Sequence, residues 1–229
     1  PNRLKRSQNT VNTLLDKLGS DKVSLVIFAG SSFIQMPLTN DYNAARMYVD
    51  QTSCDLIEAQ GTAIGDAIGT AMASLGYNDP ERELKKRLSR AIIIISDGEN
   101  FEDDAVTAAR DASKEGVSVC CIGMGTTKGT PIPEYRNGKN IGYKHDNNGS
   151  IVTTILDEQT LIDVVKAGNG IYVRTNNINA VIEEMLQHLQ KLEKDNYGSV
   201  LFSEYESRYQ YPLVLAFVCL LAELLLFEK

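Results

Sequence analysis

The sequence has little of what zinc sites, disulfide scaffolds and nucleic-acid binders require. Four cysteines and two histidines are spread over 229 residues. Cys54, Cys120, Cys121 and Cys219 fall in three unrelated settings without a Cys-x-x-Cys pair, and His145 and His188 stand far apart. That spacing argues against a disulfide framework and against a zinc-type ligand set. Positive charge is not in excess either: 23 Lys and Arg against 30 Asp and Glu leave a formal net charge of −7. A protein that tracks phosphates through clustered cations is not built this way, so nucleic acid is not an expected partner. The basic opening of Arg3, Lys5 and Arg6 is balanced downstream. It reads as a solvated helix face, with attraction to anionic lipid as the other reading. Neither a Gly-x-x-x-x-Gly-Lys-Ser/Thr loop nor a Gly-x-Gly-x-x-Gly run occurs, so these phosphate cradles are missing.

What is present suits a globular domain with a tail, since 43% of residues are hydrophobic and 23% charged, enough to bury a large core. Residues 91–100 read Ala-Ile-Ile-Ile-Ile-Ser-Asp-Gly-Glu-Asn. Four consecutive Ile cannot alternate in and out, so the run predicts a strand buried on both faces, as in a parallel sheet covered by helices. It delivers Asp97 to the carboxyl edge, where such sheets bind ligands. Asp97 is therefore either a metal-binding carboxylate or the cap of a turn into a helix near residue 103. Residues 61–75 predict a second, small-residue helix with Thr62 at its mouth. Gly61 would allow a tight turn, while Gly65 and Gly69 would let the helix lie close to the sheet. Thr62 then offers a hydroxyl ligand or serves as an N-cap.

Periodicity organises the remainder. Residues 4–18 carry a helical apolar stripe. Residues 23–29 and 33–38 read as strands around the Gly30-Ser31-Ser32 turn, and 41–51 as a short helix. Helices are predicted over 62–75 and 103–115, strands over 91–96 and 117–123. Adjacent Cys120 and Cys121 lie in the second of these strands and are expected to be buried on opposite faces. This alternation predicts an α/β fold with a doubly wound, mostly parallel sheet and right-handed crossovers. Gly- and Pro-rich residues 124–150 interrupt it as an inserted excursion, with an irregular hairpin expected over 141–153 around an Asp146-Asn147-Asn148-Gly149 tip. A helix over 157–167, a strand over 170–174 and an amphipathic helix over 179–194 complete the domain.

Together, Gly61-Thr62-Ala63-Ile64-Gly65-Asp66-Ala67-Ile68 and Ile95-Ser96-Asp97-Gly98-Glu99-Asn100 resemble the von Willebrand factor A (VWA) domain family. The resemblance implies a Rossmann-like fold with a metal-ion-dependent adhesion site (MIDAS). In that family an Asp-x-Ser-x-Ser loop after the first strand, a Thr from a second loop and an Asp from a third hold the cation. By resemblance Thr62 is the Thr and Asp97 the third-loop Asp, both metal ligands, with Mg²⁺ or Mn²⁺ as the cofactor. A carboxylate of the partner protein fills the open position, so the resemblance implies adhesion rather than catalysis. An Asp-x-Ser-x-Ser element does not occur in the sequence. Since the chain begins at Pro1 and residues 4–18 look like the helix that should follow that loop, the expectation is an amino-terminal truncation that removed the first strand. Mg²⁺ takes about six oxygens, so metal binding is expected only when that loop is present. Glu99 and Asn100 are expected to be solvated turn residues, with a place at the rim of the site as the other reading.

Residues 212–227 are apolar except for Glu223 and follow Tyr205, Tyr209 and Tyr211. A span needs about 20 apolar residues, and this run is short. Its leucine content, the tyrosines and Lys229 favour a transmembrane helix over 212–229, against an apolar helix docked on a core or partner. The expected domains are then a VWA domain over 1–195, a juxtamembrane linker over 196–211 and the membrane helix. This layout, with Pro1-Asn2-Arg3-Leu4, is similar to the bacterial Bat aerotolerance-operon membrane proteins (BatB/BatA-like). Their likeness implies the inner membrane, a periplasmic domain, and sister VWA membrane proteins and a MoxR-type AAA+ ATPase as partners. Three functions follow. One is a non-enzymatic, metal-dependent protein-interaction module. Another is a structural VWA domain with a non-functional metal site. A Mg²⁺-dependent phosphotransferase-like enzyme is the third, and would need an Asp nucleophile and a cation near the phosphate.

Overall fold

The computed structural model describes residues 3–59, 61–76, 89–99, 103–131, 133–136, 139–143, 145, 149–175 and 177–200. The chain divides into two compact units between Glu193 and Lys194. Helix α1 (Arg3–Leu15) turns Leu14 and Leu15 inward. Its Gln8 amide donates to the Val49 and Thr52 carbonyls at 3.0 Å each. These bonds fasten α1 to the end of α2 (Tyr42–Asp50). Between them, β1 (Val23–Phe28) and β2 (Ser32–Thr39) form the expected antiparallel hairpin. Helix α2 starts where Asp41 accepts bonds from the Asn43 and Ala44 amides, the usual way an Asp satisfies a first turn.

The second layer begins with α3 (Ile64–Ser74), β3 (Arg90–Ser96), α4 (Ala105–Lys114) and β4 (Val117–Gly123). After the excursion come α5 (Glu158–Ala167), and, numbering the excursion strands β5 to β8, β9 (Tyr172–Arg174) and α6 (Ile178–Val200). Strands β3, β4 and β9 form a parallel sheet in that order. Ile92 and Ile94 bury against Ala105, Ala109, Val119 and Leu161, while Ile93 and Ile95 pack with Ile122, Val181 and Met185. The isoleucine run is thus covered on both faces. Cys120 and Cys121 are fully buried in these two opposite clusters, and burial pushes both thiols up.

The sheet is interrupted: among the described residues β1 pairs only with β2, and β3 only with β4. The ends of β1 and β3 face a cleft that Arg3, Leu4 and Ser7 of α1 help to line. Three expectations need correction. In the excursion, β5 (Thr130–Pro131) pairs with β8 (Thr153–Thr154) and β6 (Pro133–Arg136) with β7 (Lys139–Tyr143). The hairpin expected over 141–153 is present as a single bridge, His145 to Ile151, and residues 146–148 of its tip lie outside the described residues. Gly69 meets nothing within 4 Å, so it is not a packing device. Finally, α6 runs on to Val200, past the expected end. Among the described residues no helix is long and apolar enough to cross a membrane. The expected membrane helix over 212–229, with Glu223, lies outside the described residues.

Candidate functional site

Asp97 follows directly from the end of β3, and two backbone bonds and one to a side-chain hydroxyl fix it there. The Met124 amide donates to the Ser96 carbonyl at 2.8 Å, and the Asp157 amide to the Asp97 carbonyl at 2.8 Å. Gly98 turns the chain with φ of 79° and donates its amide to Ser96 Oγ at 3.1 Å. Neither alternative role holds for the expected ligands. The N-cap of α4 is Asp104, which accepts from the Thr107 amide and hydroxyl; those bonds, the hydroxyl's first, hold its carboxyl below the usual range. The N-cap position of α3 is Ala63, with no side-chain cap bond, so Thr62 is not a cap.

Thr62 is held from two sides. Its neighbour Ala63 donates its amide to the Ala29 carbonyl at 2.8 Å, and Gly30 donates to Ala59 at 3.1 Å, which ties this loop to the β1–β2 turn. The first turn of α3 is capped from a distance: the Gly65 and Asp66 amides donate to the two carboxylate oxygens of Asp103 at 2.9 and 2.7 Å. A Cβ on Gly65 would sit 2.9 Å from Asp103 Oδ2. Gly65 is therefore needed for the approach of Asp103, a carboxylate that sequence periodicity assigns to the start of α4. Half-buried Thr62 and Asp97 line one cleft of about 230 Å³, together with Ala29, Gly61, Ser96 and Arg3.

Arg3 is not a solvated surface residue. Its Nη1 lies 2.8 Å from Asp97 Oδ2 and also donates to Thr154 Oγ1, and its Nη2 donates to the Thr154 carbonyl at 3.2 Å. Thr154 Oγ1 donates in turn to Asp97 Oδ2 at 3.1 Å. Arg3 reaches this position because α1 starts at the carboxyl edge of the sheet, and Thr154 because β8 pairs with β5. Sequence separations of 94 and 151 residues left no local signal for either. Glu99 is engaged as well, accepting the Ile155 amide at 3.2 Å, whereas Asn100 lies outside the described residues.

The donors facing the cleft are hard oxygens, the Asp97 carboxylate and the Thr62 hydroxyl, which fit a Mg²⁺-type cation in kind. They are too few to enclose it. Among the described residues no three His, Cys, Asp or Glu side chains gather in a way that could hold a metal ion.

A family model for the von Willebrand factor type A domain matches residues 1–148. The crystal structure of the conserved hypothetical protein BatB from Bacteroides thetaiotaomicron is 39% identical, with a TM-score of 0.76 over 85% of this chain and 90% of that one. An aerotolerance-related membrane protein from Bacteroides fragilis, crystallised with multiple mutations to serine, is 37% identical, with a TM-score of 0.75 over 83% and 90%. A mussel byssus protein, proximal thread matrix protein 1, has a zinc-occupied MIDAS motif. It shares the fold at 16% identity, with a TM-score of 0.50 over 83% of this chain and 39% of that one. The chain spans 40–63% of the length of the curated bacterial relatives it matches at 25–30% identity.

Proposed function

The chain belongs to the von Willebrand factor type A domain family, and from that premise we propose that it is a non-enzymatic, metal-dependent protein-interaction module of a bacterial inner-membrane complex. One observation carries the proposal: Thr62 and Asp97, from two separate loops, converge on one cleft at the carboxyl edge of the sheet. Thr62 and Asp97 would hold a divalent cation, Mg²⁺ or Mn²⁺, as oxygen ligands. When bound, the cation supplies a Lewis-acid contact for a carboxylate of the partner protein. The remaining coordination positions go to water or to ligands beyond these residues. What the chain itself does is to fix the two donors: Gly98 sets the turn that presents Asp97, and Asp103 holds the first turn of α3 behind Thr62.

For the biological setting, relatives described as BatB and as an aerotolerance-related membrane protein support a membrane location. From the family resemblance alone we infer the inner membrane with the domain on the periplasmic side, anchorage through residues 212–229, sister VWA proteins and a MoxR-type ATPase as partners. The direct test is a Mg²⁺ and Mn²⁺ titration by calorimetry of this chain and of a longer one made by adding a strand and an Asp-x-Ser-x-Ser loop before residue 1. Binding in the longer chain that is lost with Asp97→Ala and weakened at least tenfold with Thr62→Val is expected, since each removes a ligand oxygen. Capture of a partner that is indifferent to both substitutions and to chelator would reject the module and favour a structural domain with a non-functional site.

A further inference from the structure

The excursion presents an outward apolar face. Ile141, Tyr143, Ile151 and Ile155 are 46–54% exposed, and they make up four of the eight exposed large hydrophobic side chains among the described residues. The other four, Ile34, Leu38, Met47 and Leu56, are spread over β2, α2 and the turn that follows it, as single exposed apolar residues commonly are. In the excursion the exposure has a pattern. Ile151, Thr153 and Ile155 are exposed while Val152 and Thr154 between them are half-buried, the alternation of an extended segment with one face outward. Ile141 and Tyr143 stand two apart on β7 and so share a face of it. His145 just beyond them bridges to Ile151, which brings the two segments side by side. Thr154, on the inward face, is the residue bonded to Arg3 and Asp97, so the apolar face and the cleft lie on opposite sides of one segment.

The charge of the excursion is opposite to that of the chain. Residues 124–155 carry Lys128, Arg136, Lys139 and Lys144 against Glu134 and Asp146, a local excess of positive charge in a chain whose formal net charge is −7. Arg136 and Lys139 occupy directly paired positions at the end of the β6–β7 ladder, an arrangement of like charges that is unfavourable by itself and that an anion would relieve. Protein interfaces are depleted in Lys and favour Arg. Lys beside Tyr and aliphatic residues instead suits a lipid headgroup layer, where aliphatic groups enter the acyl boundary, a Tyr ring sits at headgroup level and ammonium groups meet lipid phosphates. We propose that the face formed by Ile141, Tyr143, Ile151 and Ile155 docks on an anionic lipid surface, with the lysines of the excursion meeting the headgroups. This stands independently of how Thr62 and Asp97 are used. Lipid contact steadies the same segment whose Thr154 bonds Asp97 and Arg3, and so sets the cleft beside the bilayer.

The chain has no tryptophan, so Tyr143→Trp places a single fluorescent reporter on this face. Its emission is the readout, because the apolar residues 212–227 can by themselves hold the chain to any vesicle. The full chain carrying Tyr143→Trp is titrated with vesicles of phosphatidylglycerol and phosphatidylcholine, and with vesicles of phosphatidylcholine alone. A blue shift and quenching by brominated acyl chains are expected on the anionic vesicles and not on the neutral ones. Met47→Trp, a reporter at an exposed apolar position outside the excursion, is expected to show neither. Adding Lys139→Gln to the reporter chain is expected to weaken the response about fivefold, and adding Ile141→Ser about tenfold. Ile151→Trp takes the place of the reporter if Tyr143→Trp does not fold. Absence of a shift on both vesicles, an equal shift on both, or the same shift at Met47→Trp overturns the proposal. So does a shift produced by polyglutamate or by rising protein concentration in place of anionic vesicles, the first marking an acidic protein partner and the second a further copy of this chain.

Discussion

A Cβ on Gly98 would fall 2.1 Å from the Asp157 carbonyl oxygen, and the residue's φ of 79° is one that L side chains rarely adopt. The Asp97-Gly98 pair reads in the sequence as a turn, but its reason is tertiary. The Asp157 amide bonds to the Asp97 carbonyl, so the chain entering α5 lies directly against the turn that presents the carboxylate. Gly98→Ala is expected to combine overpacking with left-handed strain, a loss of roughly 2–5 kcal/mol. Denaturant unfolding measures it, and a loss below about 1 kcal/mol would mean that the two loops are not packed as described. Arg3 shows the opposite case. As one of three basic residues near the start of a helix it looks solvated, and only the return of Thr154, 151 residues later, reveals its seat.

At the scale of elements, α3 depends on a carboxylate outside itself. Its first-turn amides have no partner within the helix, and no side chain at its own N-cap supplies one; Asp103 does. Asp103→Ala is expected to cost about 1–2 kcal/mol. Gly65 supplies the sharper measurement, because the three atoms nearest its missing Cβ all belong to Asp103. Gly65→Ala is expected to destabilise the natural protein, yet to stabilise the Asp103→Ala variant by about 0.4–1 kcal/mol, because Ala restricts the unfolded chain. A double-mutant cycle without that reversal of sign would refute the cap. Helix and strand existence were legible from periodicity almost throughout, with most boundaries shifted by a residue or two; α1 ends three residues early at Leu15 and α6 runs six residues further, to Val200. Strand 117–123 was placed without error because its apolar run, interrupted only by Ser118, lies between Gly116 and Gly123. The β6–β7 hairpin was missed, since Pro131 and Pro133 mask a strand pattern when they stand at strand ends. Asp103 was read as part of the helix after it, because a cap supplied across 37 residues has no local spacing to betray it.

Over the whole molecule, the parallel sheet and its two apolar faces were legible, and the separation of the β1–β2 pair from the β3–β4–β9 sheet agrees with the expected loss of a strand. Contacts of long sequence separation decide how α6 is attached to this sheet. His188 of α6 lies 3.3 Å from Ser118 Oγ on β4, and that hydroxyl donates to the Asn169 carbonyl at 3.0 Å. With its single proton committed to Asn169, Ser118 accepts at His188, so Nε2 carries the proton of the neutral ring. Burial pushes the His188 pKa below its ordinary value, and nearby Lys191 adds to the shift. The unfolded chain therefore binds a proton at higher pH than the folded one. The stabilising contribution of the neutral ring is complete above about pH 6.5, the unfolded value, and is lost as pH falls through the lower folded value. His188→Gln keeps a donor for Ser118 and removes the titration. Thermal melts of both proteins between about pH 7.5 and 5.5 are expected to show the natural protein losing stability relative to the variant as pH falls. Parallel profiles across that range would mean that His188 is free to charge in the folded state, and that α6 is not seated on β4 through this ring.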